Sequence, residues 1–132
     1  MRAAKGLANW HRVMDAGSKP GDLAAIIRED AVFHSPVVHT PQTGRDLVVA
    51  YLSAAGQTLG NDSFSYVREL VDGENAMLEF HTQMDDIQVN GIDLIRFDED
   101  GMIADFKVMV RPLKAVNKVW EEMAAMLDKQ AG

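Results

Sequence analysis

The sequence has one acidic residue whose surroundings are almost entirely apolar. Asp93 lies between Ile92 and the pair Leu94 and Ile95, in a stretch that is typical of a β-strand. Because side chains alternate between the two faces of a strand, Asp93 shares a face with Ile95 and Phe97, which are core residue types. We therefore expect Asp93 to point inward. There it is either a pocket group that acts as an acid, a base or a hydrogen-bond donor, or a structural hydrogen-bonding group.

Four histidines could supply a general base, since imidazole titrates near neutral pH, and their spacing does not resemble that of a metal site. We expect His11 to face solvent and His39 to lie in a loop over the mouth of a pocket. Alternation places His34 and His81 on the outer side of their strands, but a β-bulge would reverse either assignment. A His34–Asp93 or His81–Asp93 acid–base pair stays open, and His34 is kept as a catalytic candidate.

Four further side chains could act on a small molecule. Ser35, directly before Pro36, carries a hydroxyl at the end of a short strand and is also a catalytic candidate. Trp10 and Tyr51 lie on the apolar faces of two predicted helices, where each is either a core residue or a ligand-binding group with a polar tip. Arg111 ends the last predicted strand. It is expected to form an ion pair or a cap, and a clamp for a substrate carboxylate is the alternative.

Composition restricts the classes of function. The 132 residues suit one domain, so residues 1–132 are predicted to fold around a single core. A net charge of −7 argues against a nucleic-acid partner. The lack of cysteine excludes disulfides and thiolate chemistry and fits a reducing compartment. No apolar run could span a bilayer and the N-terminus does not resemble a signal peptide, so we expect a cytoplasmic protein without a membrane partner.

Hydrophobic periodicity predicts helices around one short strand, then a long meander, then a closing helix. Helical spacing predicts helices over residues 2–16 and 44–59, a short helix capped by Asp22, and a last helix opened by Pro112. Its apolar face would hold Val116, Val119, Trp120, Met123 and Leu127. A loop is predicted over residues 37–43. Period-two alternation predicts strands over residues 31–35, 64–71, 76–84, 87–97 and 102–110.

Two details of the predicted strands concern the direction of side chains. Alternation groups Phe64, Tyr66 and Leu70 on one face of their strand. Gly91 marks a bend or bulge that would help the sheet to curve.

Helices segregated from antiparallel strands indicate an α+β fold. We expect a cone-shaped, strongly curved antiparallel sheet that packs on the N-terminal helices and is closed by the C-terminal helix. Such a cone encloses an apolar pocket for a small apolar organic molecule. The residues predicted to line the pocket are Trp10, Phe33, Ser35, Tyr51, Asp93, Ile95, Phe106 and Val108.

Several short motifs resemble the nuclear-transport-factor-2-like superfamily, and more closely its SnoaL-like branch. They are Phe33-His34-Ser35-Pro36, Gly44-Arg45, the segment over residues 91–101, and Val108-Met109-Val110-Arg111-Pro112. The resemblance implies the cone-shaped fold but no single reaction, because this superfamily contains isomerases, dehydratases, epoxide hydrolases, cyclases and non-catalytic binders. Relatives commonly pair through the outer face of the sheet. Here that face, with Glu79, His81, Lys107, Met109 and Arg111, implies a homodimer.

Around three positions the sequence is similar to ketosteroid isomerase. The resemblance implies that Asp93 corresponds to the aspartic acid that an apolar site keeps neutral as a hydrogen-bond donor. Ser35 stands before Pro36 where that family has its general-base aspartate, and Trp10 stands where it has a tyrosine. A serine hydroxyl is no general base unaided, so steroid isomerisation by the family's aspartate is not expected.

Two functions remain open from the sequence. One is an isomerase, dehydratase or cyclase for a hydrophobic polyketide- or steroid-like compound, with Asp93 as acid, base or donor and with no cofactor. The other is a non-catalytic domain that binds or senses a small apolar ligand. The retained Asp93 favours the enzyme, and the departures at Ser35 and Trp10 favour the binder.

Overall fold

The computed structural model describes residues 2–131, with side chains described for residues 3–126. Within that range the chain forms four helices and six strands. The helices are α1 (Arg2–Asp15), α2 (Pro20–Ile26), α3 (Arg45–Leu59) and α4 (Leu113–Ala131). The strands are β1 (Ile27–His34), β2 (Gln42–Thr43), β3 (Ser65–Asp72), β4 (Asn75–Met84), β5 (Ile87–Phe97) and β6 (Ile103–Arg111).

The described strands form one sheet in the order β2-β1-β6-β5-β4-β3. Neighbouring strands are antiparallel except for β1 and β6, which run parallel. The sheet is not closed into a barrel, because β2 and β3 form its two edges. The α+β class predicted from the sequence is confirmed.

The helices cover one face of the sheet, here called the inner face. In β4 every second side chain from Ala76 to Met84 is buried, and β5 shows the same pattern from Val89 to Phe97. This alternation is what a sheet with one covered face requires. On α1, Gly6 stands directly against the ring of Phe97, where a Cβ atom would clash, so the glycine lets the helix approach β5.

The first third of the chain differs from the sequence prediction in three places. Pro20 opens α2, whereas Asp22 lies in the first turn rather than at the cap. Its charge there still suits the positive end of the helix. Strand β1 begins at Ile27, directly after α2, rather than at residue 31. Inside the predicted loop, Gln42–Thr43 pairs with β1 as a two-residue edge strand, an interaction between distant residues that periodicity does not reveal.

Of the bend or bulge predicted at Asn90-Gly91, the bulge is wrong, because the pairing of β4 with β5 continues through Gly91 without a register shift. The glycine has a packing reason instead. A Cβ atom at this position would lie 2.5 Å from the ring of Phe80 and 2.7 Å from the carbonyl oxygen of Met109. Only a residue without a side chain fits between them.

A β-bulge does occur in the edge strand β3. Tyr66 pairs with Phe80, whereas Arg68 pairs with Glu79, the next residue back along β4. Val67 lies between these two consecutive pairs without a partner of its own, so it is the extra residue of the bulge. An inserted residue exchanges the two faces for everything that follows it.

The residues beyond this bulge face the opposite way from the prediction. Leu70, which alternation grouped with Tyr66, pairs with Met77 on the outer side and is 54% exposed. Glu69 instead pairs with Leu78, a fully buried residue of the inner face. The bulge thus turns a hydrophobic side chain outward and a carboxylate toward the helices.

The apolar face predicted for the last helix is only partly buried. Val119 and Met123 are buried, Val116 is half-buried, and Trp120 is 58% exposed. The side chain of Leu127 lies outside the described residues. Among the described helices none is long and apolar enough to cross a membrane.

Candidate functional site

A cavity of about 570 Å³ lies between the inner face of the sheet and helices α1, α3 and α4. Its walls are mainly apolar and aromatic side chains from all three helices and from strands β1, β3, β4 and β6. They include Trp10, Met14, Phe33, Tyr51, Leu52, Phe64, Phe80, Phe106, Val108, Val119 and Met123. The polar groups that reach the cavity include His11, Ser35, Tyr66 and Asp93.

Aromatic rings pack against one another along the walls. The ring of Phe33 stacks on Tyr51 at 5.2 Å between centroids, and Trp10 is tilted against Phe106 at 5.0 Å. On the other side, Phe64 stacks on Phe80 at 5.3 Å. Such aromatic pairs stabilise the fold by more than their buried area alone would, so they give the cavity fixed flat surfaces.

A series of hydrogen bonds crosses the cavity and ends at Asp93. The indole Nε1–H of Trp10 donates to the hydroxyl oxygen of Tyr66 at 3.0 Å. The Tyr66 hydroxyl in turn donates to Oδ2 of Asp93 at 3.1 Å. The three groups come from α1, β3 and β5, so the site depends on correct packing of helix against sheet.

Burial determines the protonation of this series. Loss of solvent raises the pKa of Asp93 from 3.8 to about 7, and the hydrogen bond from Tyr66 opposes part of that rise. The pKa of Tyr66 is also raised far above its ordinary value, first by burial and then by the negative charge of Asp93. Near neutral pH Asp93 is therefore partly protonated and Tyr66 is a phenol, so both groups carry hydrogens that can be donated.

Seven of the eight residues predicted to line a pocket do line the cavity. They are Trp10, Phe33, Ser35, Tyr51, Asp93, Phe106 and Val108. Ile95 does not line the cavity: it is fully buried in the core. It shares the inward direction of Asp93 but lies two residues further along β5, beyond the end of the cavity.

Ser35 lies at the cavity with its hydroxyl oxygen already engaged. This Oγ accepts the backbone N–H of Val37 at 3.1 Å and that of Val38 at 3.4 Å. The side chain therefore fixes the turn that leads out of β1. With those two amides pointing at it, the oxygen is poorly placed to remove a proton from a ligand.

His34 and His81 face outward, as alternation predicts, and neither of the histidine–Asp93 pairs that the sequence left open is formed. His34 faces the outer side of β1, where its Nε2 contacts Oδ1 of Asp105 at 2.9 Å. His81 is exposed on the outer side of β4, in a surface groove that also contains Arg111. None of these three side chains lines the cavity, so the catalytic assignment of His34 and the carboxylate clamp at Arg111 lose their geometric basis.

Sequence reasoning missed two polar features of the cavity. Alternation groups Tyr66 with Phe64 and Leu70 but assigns it no role, although a buried phenol requires a hydrogen-bond partner and so does the indole of Trp10. The side chain of His11 is 40% exposed, in keeping with the expected solvent-facing position, but it also lines the cavity and contacts Oε1 of Glu69 through Nε2 at 2.7 Å. No sequence signal could have given that contact, because it depends on the bulge at Val67.

The described part of the chain contains no group of three or more His, Asp or Glu side chains arranged to hold a metal ion. The polar groups of the cavity include the carboxyl of Asp93, the phenol of Tyr66, the indole of Trp10, the hydroxyl of Ser35 and the imidazole of His11. This set can donate hydrogen bonds to a ligand oxygen and exchange protons with it.

Comparisons with known proteins identify the family. The model of the SnoaL-like domain matches residues 7–106. A steroid delta-isomerase from Pseudomonas aeruginosa is 37% identical with a TM-score of 0.91, covering 98% of this chain and 94% of that one. An uncharacterized bacterial protein with a cystatin-like fold from Silicibacter pomeroyi DSS-3 is 33% identical with a TM-score of 0.80, covering 89% and 83%.

An NTF2-like protein of unknown function from Mesorhizobium loti, 22% identical with a TM-score of 0.70 over 85% and 95% of the two chains, shares the fold. None of the curated proteins compared with the chain matches it significantly. The family match covers most of the chain, and the similarity to the isomerase spans nearly all of it. The chain belongs to the SnoaL-like domain family of the NTF2-like superfamily.

Proposed function

We propose that the protein binds a hydrophobic ring compound of steroid or aromatic polyketide type and catalyses its isomerisation, dehydration or cyclisation. Asp93 donates a hydrogen bond to an oxygen of the substrate. The observation that carries this proposal is the series from Trp10 through Tyr66 to Asp93, which ends at an apolar cavity.

The direction of these hydrogen bonds supports a donor role for Asp93. Tyr66 donates to Oδ2, so the proton of the neutral carboxyl group belongs on Oδ1, the oxygen left for a molecule in the cavity. A donor that is already fixed in an apolar site stabilises charge on a substrate oxygen more strongly than the same group does in water. Developing enolate or phenolate charge would benefit most.

The walls support a flat, apolar ligand. Stacked aromatic pairs on both sides present rigid surfaces, and a cavity of about 570 Å³ is in the range that holds a small polycyclic molecule. The similarity to a steroid delta-isomerase makes a ketosteroid the first substrate to test.

Two probes test the proposal. Binding of 2-naphthol, whose hydroxyl imitates an enol, is followed by its fluorescence, and conversion of androst-5-ene-3,17-dione to its conjugated isomer is followed by ultraviolet absorbance. We expect Asp93→Ala to weaken naphthol binding by about tenfold through loss of one donor. Asp105→Ala, a carboxylate removed from the outer face of the neighbouring strand, serves as the matched control and should bind as the wild type does. Equal binding by both variants would contradict the donor role.

A binding or sensing domain without catalysis is the second candidate. The engaged hydroxyl of Ser35 favours it, because the position before Pro36 then offers no base. Saturable naphthol binding without turnover of the ketosteroid or of aromatic polyketides would favour this function over the enzyme.

We also propose a homodimer formed through the outer face of the sheet. Met109 is 45% exposed there and pairs in register with Ile92, beside the polar side chains of Glu79 and Lys107. An apolar Met surrounded by polar side chains fits the apolar centre and polar rim of an interface. Light scattering of the wild type should give twice the mass of one chain, and Met109→Glu should give the mass of a single chain.

We further propose a cytoplasmic location, which the absence of cysteine favours. Cell fractionation followed by immunodetection would test this.

A further inference from the structure

A second polar pair, which the donor series does not use, lies beside the cavity. His11 lies on α1 next to Trp10, and its Nε2 contacts Oε1 of Glu69 on β3 at 2.7 Å. Its ring meets the ring of Tyr66 edge to face, with centroids 5.7 Å apart. The side chains of His11 and Glu69 are 40% and 43% exposed, whereas Asp93 is 7% exposed. The pair thus lies nearer to solvent than the buried carboxyl group does.

The bulge at Val67 is what brings Glu69 to this position. Without an extra residue, positions 66 and 69 of a strand would face opposite sides of the sheet. With it, Tyr66 opposes Phe80 and Glu69 opposes Leu78, so both face inward. Bulges commonly redirect side chains next to functional sites. Here the bulge places a carboxylate within contact of a cavity histidine.

A histidine held in this way has one ring nitrogen to spare. When Nε2–H donates to the carboxylate of Glu69, the neutral ring carries its free lone pair on Nδ1. This arrangement of a base oriented by a carboxylate recurs in catalytic sites. It would also supply the base that Ser35 does not.

We propose that His11 is the general base of the site and that Glu69 is the residue that positions it. This inference rests on the proposed function, since it adds the base to the donor already assigned. For a β,γ-unsaturated ketone substrate, Nδ1 of His11 takes the proton from the carbon that lies between the carbonyl group and the existing C=C bond. The electrons of the broken C–H bond form a C=C bond, and the carbonyl oxygen becomes an enolate oxygen that Asp93 hydrogen-bonds.

The reverse transfer completes the reaction without any further reactant. The imidazolium of His11 returns the same proton to the far carbon of the conjugated enolate, and the carbonyl double bond forms again. The net result is a shifted C=C bond, with the protonation of His11 and Asp93 restored. Asp93, held in place by the hydroxyl of Tyr66, hydrogen-bonds the oxygen while His11 moves the proton.

The chain offers a matched control for the pair. His34 and Asp105 form the same kind of contact at 2.9 Å, with side chains 29% and 30% exposed, but on the outer face of the sheet. If any histidine–carboxylate contact served only stability, the two pairs would respond alike. If His11 is the base, only the pair at the cavity affects turnover.

The experiment compares His11→Gln, Glu69→Gln and Glu69→Asp with His34→Gln, using the same ketosteroid and 2-naphthol. General-base loss typically costs 10²- to 10⁴-fold, so we expect His11→Gln to lower kcat by about 100-fold or more with little change in KM. Glu69→Gln should lower kcat by about tenfold, in the range of other supporting hydrogen bonds to a functional histidine, and Glu69→Asp should restore part of it. His34→Gln should retain the wild-type kcat, and naphthol affinity should change little in all four variants.

Nitrogen NMR of the histidine rings provides a readout that needs no turnover. We expect the His11 hydrogen on Nε2, a bare Nδ1 whose signal shifts when naphthol saturates the cavity, and loss of the single tautomer in Glu69→Gln. A hydrogen on Nδ1, or a His11 signal unaffected by bound naphthol, would overturn the base role.

The outcomes separate the two proposals. If the wild type neither binds naphthol nor converts the ketosteroid, the proposed function fails and the base falls with it. If the wild type converts the ketosteroid and His11→Gln does so equally well, the donor site stands and only this inference is overturned. Naphthol binding without turnover also overturns the base and leaves a binding domain.

Discussion

Asp93 and Asp105 lie on adjacent strands of one sheet and face its opposite sides. Asp93 is buried on the inner face of β5, accepts the hydroxyl of Tyr66, and has a pKa raised to about 7 by loss of solvent. Asp105, on the outer face of β6, has a side chain that is 30% exposed and contacts His34. The same residue type is therefore a candidate hydrogen-bond donor on one face and an ion-pair partner on the other.

The histidines repeat this contrast. His11 lines the cavity and His34 lies on the outer face, yet each contacts a carboxylate at hydrogen-bonding distance. The pair at the cavity is not the more buried one, with side chains 40% and 43% exposed against 29% and 30% for the outer pair. What differs is access to a ligand, which is set by the face of the sheet on which each pair lies. Matched substitutions on the two faces therefore test whether the inner and outer residues really differ in their roles.

The largest expected effect is on the pH dependence of stability. The raised pKa of Asp93 means that the folded state binds this proton more tightly than the unfolded state does. The free energy of unfolding should therefore fall as pH rises from about 4 to about 7, by up to about 4 kcal/mol, and then level off. Urea unfolding at several pH values measures it.

Asn in place of Asp93 provides the control, because it cannot titrate. Asp93→Asn should lose this dependence and be more stable than the wild type at pH 8. Asp105→Asn should leave the dependence in place. If the free energy of unfolding depends on pH in the same way in Asp93→Asn and in the wild type, the pKa of Asp93 is not raised as its burial requires.

Removal of the donor should affect catalysis almost as strongly. Loss of one preorganised donor to a developing oxyanion typically lowers kcat by about 10²- to 10³-fold, and we expect this for Asp93→Ala on the ketosteroid. Asp105→Ala should stay close to the wild type. Steady-state kinetics at pH 6, with folding checked by circular dichroism, makes the measurement. If kcat falls only slightly in Asp93→Ala, then Asp93 is not the group that stabilises the oxyanion.

Tyr66→Phe sharpens the comparison within the inner face. It removes the donor to Asp93 and leaves the indole N–H of Trp10 without its acceptor, so it should cost about 1–3 kcal/mol of unfolding free energy. Because the Tyr66 hydrogen bond lowers the pKa of Asp93, its loss should raise that pKa further. Tyr51→Phe, which alters a second tyrosine of the cavity, is the control. If the pKa of Asp93 falls in Tyr66→Phe, the assignment of Tyr66 as hydrogen-bond donor to Asp93 is contradicted.

The smallest effect is expected on the outer face. His34→Gln removes a half-exposed contact with Asp105, and exposed ion pairs contribute about 1 kcal/mol or less. Thermal unfolding at pH 6 and pH 8 measures it. A loss above about 2 kcal/mol would show that the outer pair is more than a surface contact.

Period-two and helical patterns were sufficient to predict the order of the elements and the inward direction of Asp93. They rest on local spacing, and β5 keeps its alternation from Val89 to Phe97. The outward directions of His34 and His81 follow from the same rule. The parallel pairing of β1 with β6 and the two-residue strand β2 were not predicted, because they join distant residues and leave no periodic mark.

The part of the site that the sequence missed follows from one residue. Val67 is an ordinary residue type for a strand. As the extra residue of a bulge, however, it reverses the faces of the sheet toward which Glu69 and Leu70 point. No local pattern indicates where a single extra residue will leave the ladder. The contact between His11 and Glu69 could therefore come only from the structure.

The most direct test of the donor role is the titration of the Asp93 carboxyl carbon by NMR, with and without 2-naphthol. We predict a midpoint near pH 7 in the free protein, rising when naphthol binds because the ligand oxygen favours the protonated donor. A midpoint near the ordinary value of 3.8 that naphthol does not change would contradict it, and Asp93 would then be a structural residue of the sheet.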